Sequence, residues 1–372
     1  MDLPFASSFL EHWVSLRARQ RPIRPLAELD LTGIDRVLLA LTTGLGDAIL
    51  STPVFESVRS ALPQSRIGLF VRASWAPLFL NEPDLDEIIP YPGKWRRFFS
   101  TLDSLRTFSP QLTLVLHGND PDILPLVYLA GSQFIIRIPT AGTRYASLLS
   151  NSARKEDSHV IAGWHYIDNR LRILDSVGIP HTRTTPILRP SKDKRASDWL
   201  RAVCEKQPYV VVHPWAADDY KTWPITQARR FLEEFETAFP EHLVVITGSR
   251  ADDTKAKELA EGLGHVRLAA GKFGIEGAAF LISGAKAVVA PDTGILHMAA
   301  ALDVPTVGLF APTNPDFVGQ RAESAVALSL VRPLTCSPCV EKKCSHHPAK
   351  CMSQFAASDV IAALKACLEE RP

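Results

Sequence analysis

The residues of this chain best suited to chemistry gather where apolar runs give way to glycine- and proline-marked turns. In 288–301, VVAPDTGILHMAAA, an apolar run stops at Pro291, and Pro291 and Gly294 bracket Asp292 and Thr293. A tight turn here leads into a helix whose first amide groups lack intrahelical acceptors and point outward, a setting that suits an anion. His297 follows Thr293 by four residues, about one helical turn, so its ring faces the same opening. The same residues also fit a plain cap at Asp292 or Thr293 with His297 semi-buried, and this stretch leaves both readings open. A second junction lies in RVLLALTTGLGDAILSTPVFESVRSALP, where an apolar strand meets Thr42, Thr43, Gly44, Leu45 and Gly46 before a helical stripe. This loop spells neither GxGxxG nor a phosphate loop with its lysine, which removes the main support for a dinucleotide or nucleoside triphosphate. Asp47 then stands either where strand ends feed an α/β crevice or as a helix-capping carboxylate. His117, Gly118, Asn119 and Asp120 end a third run, LTLVL, as acceptor contacts or as a turn.

The second half repeats this placement after three of its apolar runs. YVVVH is followed by Pro214, Trp215, Ala216, Ala217, Asp218, Asp219, Tyr220 and Lys221; LVVIT is followed by Gly248, Ser249 and Asp252; KAVVA by the Asp292 turn. Strand ends on one edge of a parallel sheet are neighbours, so these loops are expected to line one pocket. A lysine, free helix amides and a hydroxyl suit a diphosphate, and a carboxylate such as Asp252 suits ribose hydroxyls. A solvated surface lysine is the other reading of Lys221.

The elements that must position these groups alternate in type. Strands are predicted over 36–41, 66–71, 86–91, 112–116 and 134–138, then over 209–213, 243–247, 266–268, 286–290 and 306–310. Helices are predicted over 226–239, 255–262, 276–283 and 295–302, with a last one over 356–369, and Pro53 either starts a helix behind Thr52 or bends one. This alternation predicts an α/β protein with mostly parallel sheets. A length of 372 residues suggests two domains. The proline-bearing polar stretch 182–195 reads as the linker. The expected domains are therefore 1–190, with 1–30 as a helical extension, and 191–372, two Rossmann-like halves facing a central cleft.

A net charge of +1 gives no field to hold nucleic acid, and 46% hydrophobic with 22% charged residues is ordinary for a globular protein. No apolar run is long enough to span a membrane, and Asp2, Glu11 and His12 interrupt the apolar N-terminus, so a cytoplasmic protein is expected. Phe9, Leu10, Trp13, Val14 and Leu16 form an apolar helix face that docks on the protein or contacts the inner-membrane surface.

The succession LTTGLGDAILSTPVFESVR, VVVHPWAADDYKTWP, ITGSRADD and PDTGILHMAAALDVPTVGLFAPTNP resembles glycosyltransferase family 9, the ADP-heptose-dependent heptosyltransferases, over about residues 36–365. The resemblance implies a GT-B fold whose final helix crosses back onto the first domain, and inverting transfer of heptose from ADP-heptose to a sugar of the lipopolysaccharide inner core, with no catalytic cofactor. It implies Asp47 as general base, Lys221 as phosphate ligand, and Asp292, Thr293, Gly294 and His297 as the nucleotide-sugar site. Thr43, Gly44, Gly46, His117 and Asn119 fall on the acceptor side, where the acceptor is a lipid-linked or protein-linked glycan. One carboxylate to take the acceptor proton and positive groups facing the departing ADP are what such a reaction needs. Closure of the cleft would exclude the water that hydrolyses the donor. The chain departs from the family in having Trp215, Ala216 and Ala217 where small or hydroxyl residues are common. The same fold also serves nucleotide-sugar epimerases or hydrolases, and a non-catalytic module built around the cysteines is a further alternative.

Those cysteines, Cys336, Cys339, Cys344 and Cys351, lie within sixteen residues with His346 and His347 between the last two. A comparable segment occurs in a subset of the resembled family. The density suggests a structural zinc or iron site, with reduced thiols or one disulfide as the other reading.

Overall fold

The computed structural model describes residues 4–138, 145–151, 164–189, 192–337, 339, 344, 346 and 349–369, with side chains from residue 12 onward. It divides into two compact units, Met1–Thr184 and Thr185–Pro372.

The first unit runs α1 (Pro4–Gln20), β1 (Arg36–Leu41), α2 (Leu45–Ile49), α3 (Pro53–Ala61), β2 (Arg66–Arg72), β3 (Glu87–Tyr91), α4 (Phe98–Phe108), β4 (Leu112–His117), α5 (Ile123–Leu129), β5 (Phe134–Arg137) and α6 (Tyr166–Ser176). Its strands are parallel in the order β3-β2-β1-β4-β5. They read as unbroken apolar runs because helices cover both faces, and all of β1 beyond Arg36 is buried. The chain leaves β1 for β2 on one side and returns to β4 on the other. Loops after β1 and β4 therefore diverge, and the Asp47 and His117 segments start at that switch point. Pro53 marks a break between α2 and α3, where Thr52 makes no side-chain cap. Val14 and Ala18 of α1 are buried in the same core as Leu38, Phe70 and Leu126, so this helix docks on its own unit while Trp13 and Leu16 stay exposed.

The second unit runs α7 (Lys194–Cys204), β6 (Tyr209–Val212), α8 (Ile225–Ala238), β7 (Leu243–Ile246), α9 (Asp253–Ala260), β8 (Val266–Leu268), α10 (Ile275–Ser283), β9 (Ala287–Pro291), α11 (Gly294–Ala301), β10 (Thr306–Phe310), α12 (Pro315–Val318), β11 (Ala327–Val331) and α13 (Ala357–Glu369). Its parallel order is β11-β10-β9-β6-β7-β8, with the switch point between β6 and β9. Two expectations change here. Helix α7 begins inside the stretch that reads as linker, because Asp193 caps it by accepting from Ala196 N. Strand β11 escapes the pattern because it is a half-exposed edge of five residues. The last helix packs on α8 and on β9, β10 and β11. Val360, Leu364 and Cys367 are buried there in one core with Phe231, Phe235, Val307 and Leu309.

Candidate functional site

In the first unit Asp47 sits in the first turn of α2, and the cap position belongs to Gly44, which has no side chain to offer. The carboxylate is thus not the helix cap. A Cβ at Gly44 would stand 3.2 Å from Asp47 Oδ2, so glycine keeps the approach to that oxygen narrow but open. Asp47 Oδ1 accepts from Arg170 Nη2 of α6 at 2.7 Å and lies 3.7 Å from His117 Nε2. Oδ2 lies 3.3 Å from Thr43 Oγ1, which is 2.5 Å from His117 Nδ1. Burial pushes the His117 ring below the ordinary imidazole value, against the pull of Asp47. A neutral ring with its proton on Nδ1 donates to the Thr43 hydroxyl oxygen, which leaves that hydroxyl free to donate to Asp47 Oδ2. Asn119 Oδ1 accepts from Arg137 at 2.9 Å, and Arg72 Nε donates to Thr42 O. Gly46 lies within α2 and its carbonyl accepts from Leu50 N.

In the second unit Lys221, on the loop after β6, donates to Asp292 Oδ2 at 2.8 Å, and His297 Nε2 lies 3.4 Å from Asp292 Oδ1. Burial alone would raise the Asp292 carboxyl, but the bonds and charges of His297 and Lys221 outweigh it and hold the group well below the ordinary range. Burial likewise pushes Lys221 down, and Asp292 more than reverses that shift. The two groups are an ion pair. Thr293 occupies the cap position of α11 without a side-chain bond to the helix; its Oγ1 and His297 Nδ1 are buried with no hydrogen-bond partner among the described residues. Two polar atoms are thus held beside a helix start whose own amide groups seek an acceptor. Asp252, expected to face ribose, spends Oδ2 on Ser249 N and Oγ at 2.8 and 2.6 Å in a capping box. Trp215 is 5% exposed and donates its indole N–H to Thr247 O at 3.0 Å, so it acts as packing at the end of β7.

The family model described as glycosyltransferase family 9 (heptosyltransferase) matches residues 129–350. The chain belongs to glycosyltransferase family 9. Lipopolysaccharide heptosyltransferase 1 of Pseudomonas aeruginosa is 29% identical over 331 residues, 84% of this chain and 88% of that protein. Among solved structures, the Escherichia coli ADP-heptose lipopolysaccharide heptosyltransferase II matches with a TM-score of 0.70 at 22% identity, covering 90% of this chain and 99% of that one. The E. coli heptosyltransferase WaaC with ADP matches with a TM-score of 0.68 at 22% identity, covering 89% and 99%. The fold is therefore GT-B, and the chain is a glycosyltransferase.

In this family 9 glycosyltransferase the structure brings together two groups of the expected residues, each within its own unit: Asp47 with Thr43, Gly44 and His117, and Lys221 with Asp292 and His297. The thiols of the expected zinc or iron site lie near enough for Cys336, Cys339 and Cys344 to act on Cys351 through their charge. Among the described residues no three His, Cys, Asp or Glu side chains are placed to hold a metal ion, and the four cysteines are free thiols. Cys336 is exposed while Cys351 is buried beside Met352 and Phe355, so the thiols lie at different depths. Burial pushes Cys339 and Cys351 up, the neighbouring thiols add to it, and neither is poised as a thiolate. His347 lies outside the described residues. No helix of the described residues is long and apolar enough to cross a membrane. Sequence reading missed Arg170, His213 and Thr247. Arg170 opens a polar helix turn with no local mark, and only its long-range partner reveals it. His213 was readable as the polar end of YVVVH, and it lies 3.1 Å from Thr247 Oγ1, the polar end of LVVIT.

Proposed function

We propose that the chain transfers heptose from ADP-heptose to a sugar hydroxyl of the lipopolysaccharide inner core with inversion at the anomeric carbon. With that acceptor goes a cytoplasmic location at the inner-membrane surface. The observation that carries the reading is the Lys221–Asp292–His297 group at the start of α11, its Asp292 and His297 buried, beside a Thr293 hydroxyl with no hydrogen-bond partner among the described residues. A departing ADP develops negative charge on its phosphate oxygens, and an ammonium, a hydroxyl and helix amides are the groups that balance it. Asp292 keeps Lys221 charged and in place until the diphosphate shares that ammonium. On the acceptor side Asp47 takes the hydroxyl proton as the new carbon–oxygen bond forms and the bond to the ADP oxygen breaks. His117, neutral and bonded to Thr43, lies beside Asp47. The named relatives, lipopolysaccharide heptosyltransferases and a heptosyltransferase with ADP, support both donor and acceptor.

The test is transfer from ADP-heptose to an inner-core acceptor by Asp47→Asn. Loss of a general base costs about 10²–10⁴ in rate, so kcat falls by that factor while ADP binding persists. Full activity in the variant refutes the base assignment. Release of ADP without acceptor, at the wild-type transfer rate, refutes the transferase reading in favour of hydrolysis.

A further inference from the structure

Arg170 is 3% exposed, on a helix whose sequence gives no reason to bury a guanidinium. Burial of a charge is costly unless a partner and hydrogen bonds offset it. The partner is Asp47, 123 positions earlier, whose Oδ1 accepts from Nη2 at 2.7 Å. Tyr166, one turn earlier on α6, lies 5.6 Å from the guanidinium carbon. The helix is itself held fast: His165 Nδ1 caps it by accepting from Ile167 N, Asn169 Nδ2 donates to Trp164 O, and α6 packs on α3 and β4. A rigid element therefore delivers one guanidinium nitrogen to one carboxylate oxygen, and the other oxygen accepts from the Thr43 hydroxyl at 3.3 Å.

We propose that Arg170 is a positioning residue for the transfer: it ties down Oδ1 of Asp47 and thereby turns Oδ2 toward the acceptor hydroxyl. This rests on the reading of Asp47 as the base. An adjacent guanidinium makes a carboxylate a weaker base, so the gain is in orientation, which governs how often the reacting atoms meet in line. Among the described residues the charged and titratable groups shown facing Asp47 are His117 from β4 and Arg170 from α6, with Tyr166 behind Arg170 and Arg137 of β5 acting on His117. Arg72 of β2 is turned to Thr42 O and Asp120.

Steady-state transfer across pH by Arg170→Gln and Arg170→Lys, set beside Asp47→Asn, tests this. Arg170→Gln removes charge and fork together: kcat falls about tenfold or more, and the acid limb of the kcat profile moves up by about one pH unit. The donor KM stays within about twofold, because Arg170 removes no uniform donor binding. Arg170→Lys keeps the charge without the fork, so kcat is reduced while the limb stays at the wild-type pH. A merely structural arginine would leave the limb unmoved in both variants; that result, or wild-type kcat in either, overturns the proposal. Should Arg170→Gln fail to fold, the Lys variant decides by its kcat alone. If Asp47→Asn transfers normally, the base reading has failed instead, whatever Arg170 does.

Discussion

His213 follows the last residue of β6 and lies 3.1 Å from Thr247 Oγ1 with one ring nitrogen. Burial pushes its pKa down to about 4, with Asp252 and the Thr247 backbone pulling weakly upward. The unfolded ring titrates near ~6.5, so between about pH 6.5 and pH 4 the unfolded chain binds the extra proton. Stability therefore rises with pH across that window, is complete above it, and is lost on acidification. A shift from 6.5 to about 4 corresponds to at most about 3.5 kcal/mol, an upper bound because the ring is only part-buried. Urea unfolding at pH 7.5 and pH 5 should show the loss, and His213→Asn should flatten the slope between them; an unchanged slope in the variant would assign it to other groups. At this scale Asp47, Lys221, Asp292 and His297 were legible, because each stands at a junction between an apolar strand and a helix, where a polar side chain has no packing reason to be. Arg170 was not legible. Its significance is a contact across 123 residues, and nothing in HYIDNR distinguishes a buried fork from a solvated one.

At the scale of elements, the turn after β7 shows how packing fixes a loop at the edge of the sheet. Trp215 leaves β6 and lays its ring against the end of β7, and a Cβ at Gly248 would meet its Nε1 at 2.8 Å and its Cδ1 at 3.0 Å. Glycine at 248 is required by this close approach. Gly248→Ala must displace a buried indole, and overpacking of this kind costs about 1–3 kcal/mol. The expected outcome is a lower urea midpoint at unchanged m-value; an unshifted midpoint would mean that the ring moves without cost. The strands of the two sheets were legible as apolar runs between turn residues because both faces are covered. Strand β11 was not, since an edge strand with alternating partial exposure carries no such run. The path of α13 was equally hidden: its apolar stripe at Val360, Leu364 and Cys367 says that it packs, but the partner is set by the core of α8, β9 and β10.

For the whole molecule, the donor reading makes a claim about stability that separates ligand from fold. A nucleotide that binds the native chain and not the unfolded one stabilises it by about 2.7 kcal/mol at a hundred times its Kd. ADP should therefore raise the melting temperature by several degrees, and UDP, GDP and NAD at matched concentration should raise it less. Lys221→Ala is the decisive control, and its effect has two parts. Removing the ammonium leaves the Asp292 carboxylate buried with only His297 beside it, so the variant melts lower even without ligand. The increment produced by ADP, read as the difference with and without nucleotide for each protein, isolates binding from that loss. It should shrink in Lys221→Ala and remain at the wild-type size in Asp47→Asn, whose carboxylate lies in the other unit. An increment with UDP or GDP in place of ADP would keep the glycosyltransferase and change its donor. A full ADP increment in Lys221→Ala would remove this lysine from the diphosphate and leave the start of α11, with Thr293 and His297, to hold it alone.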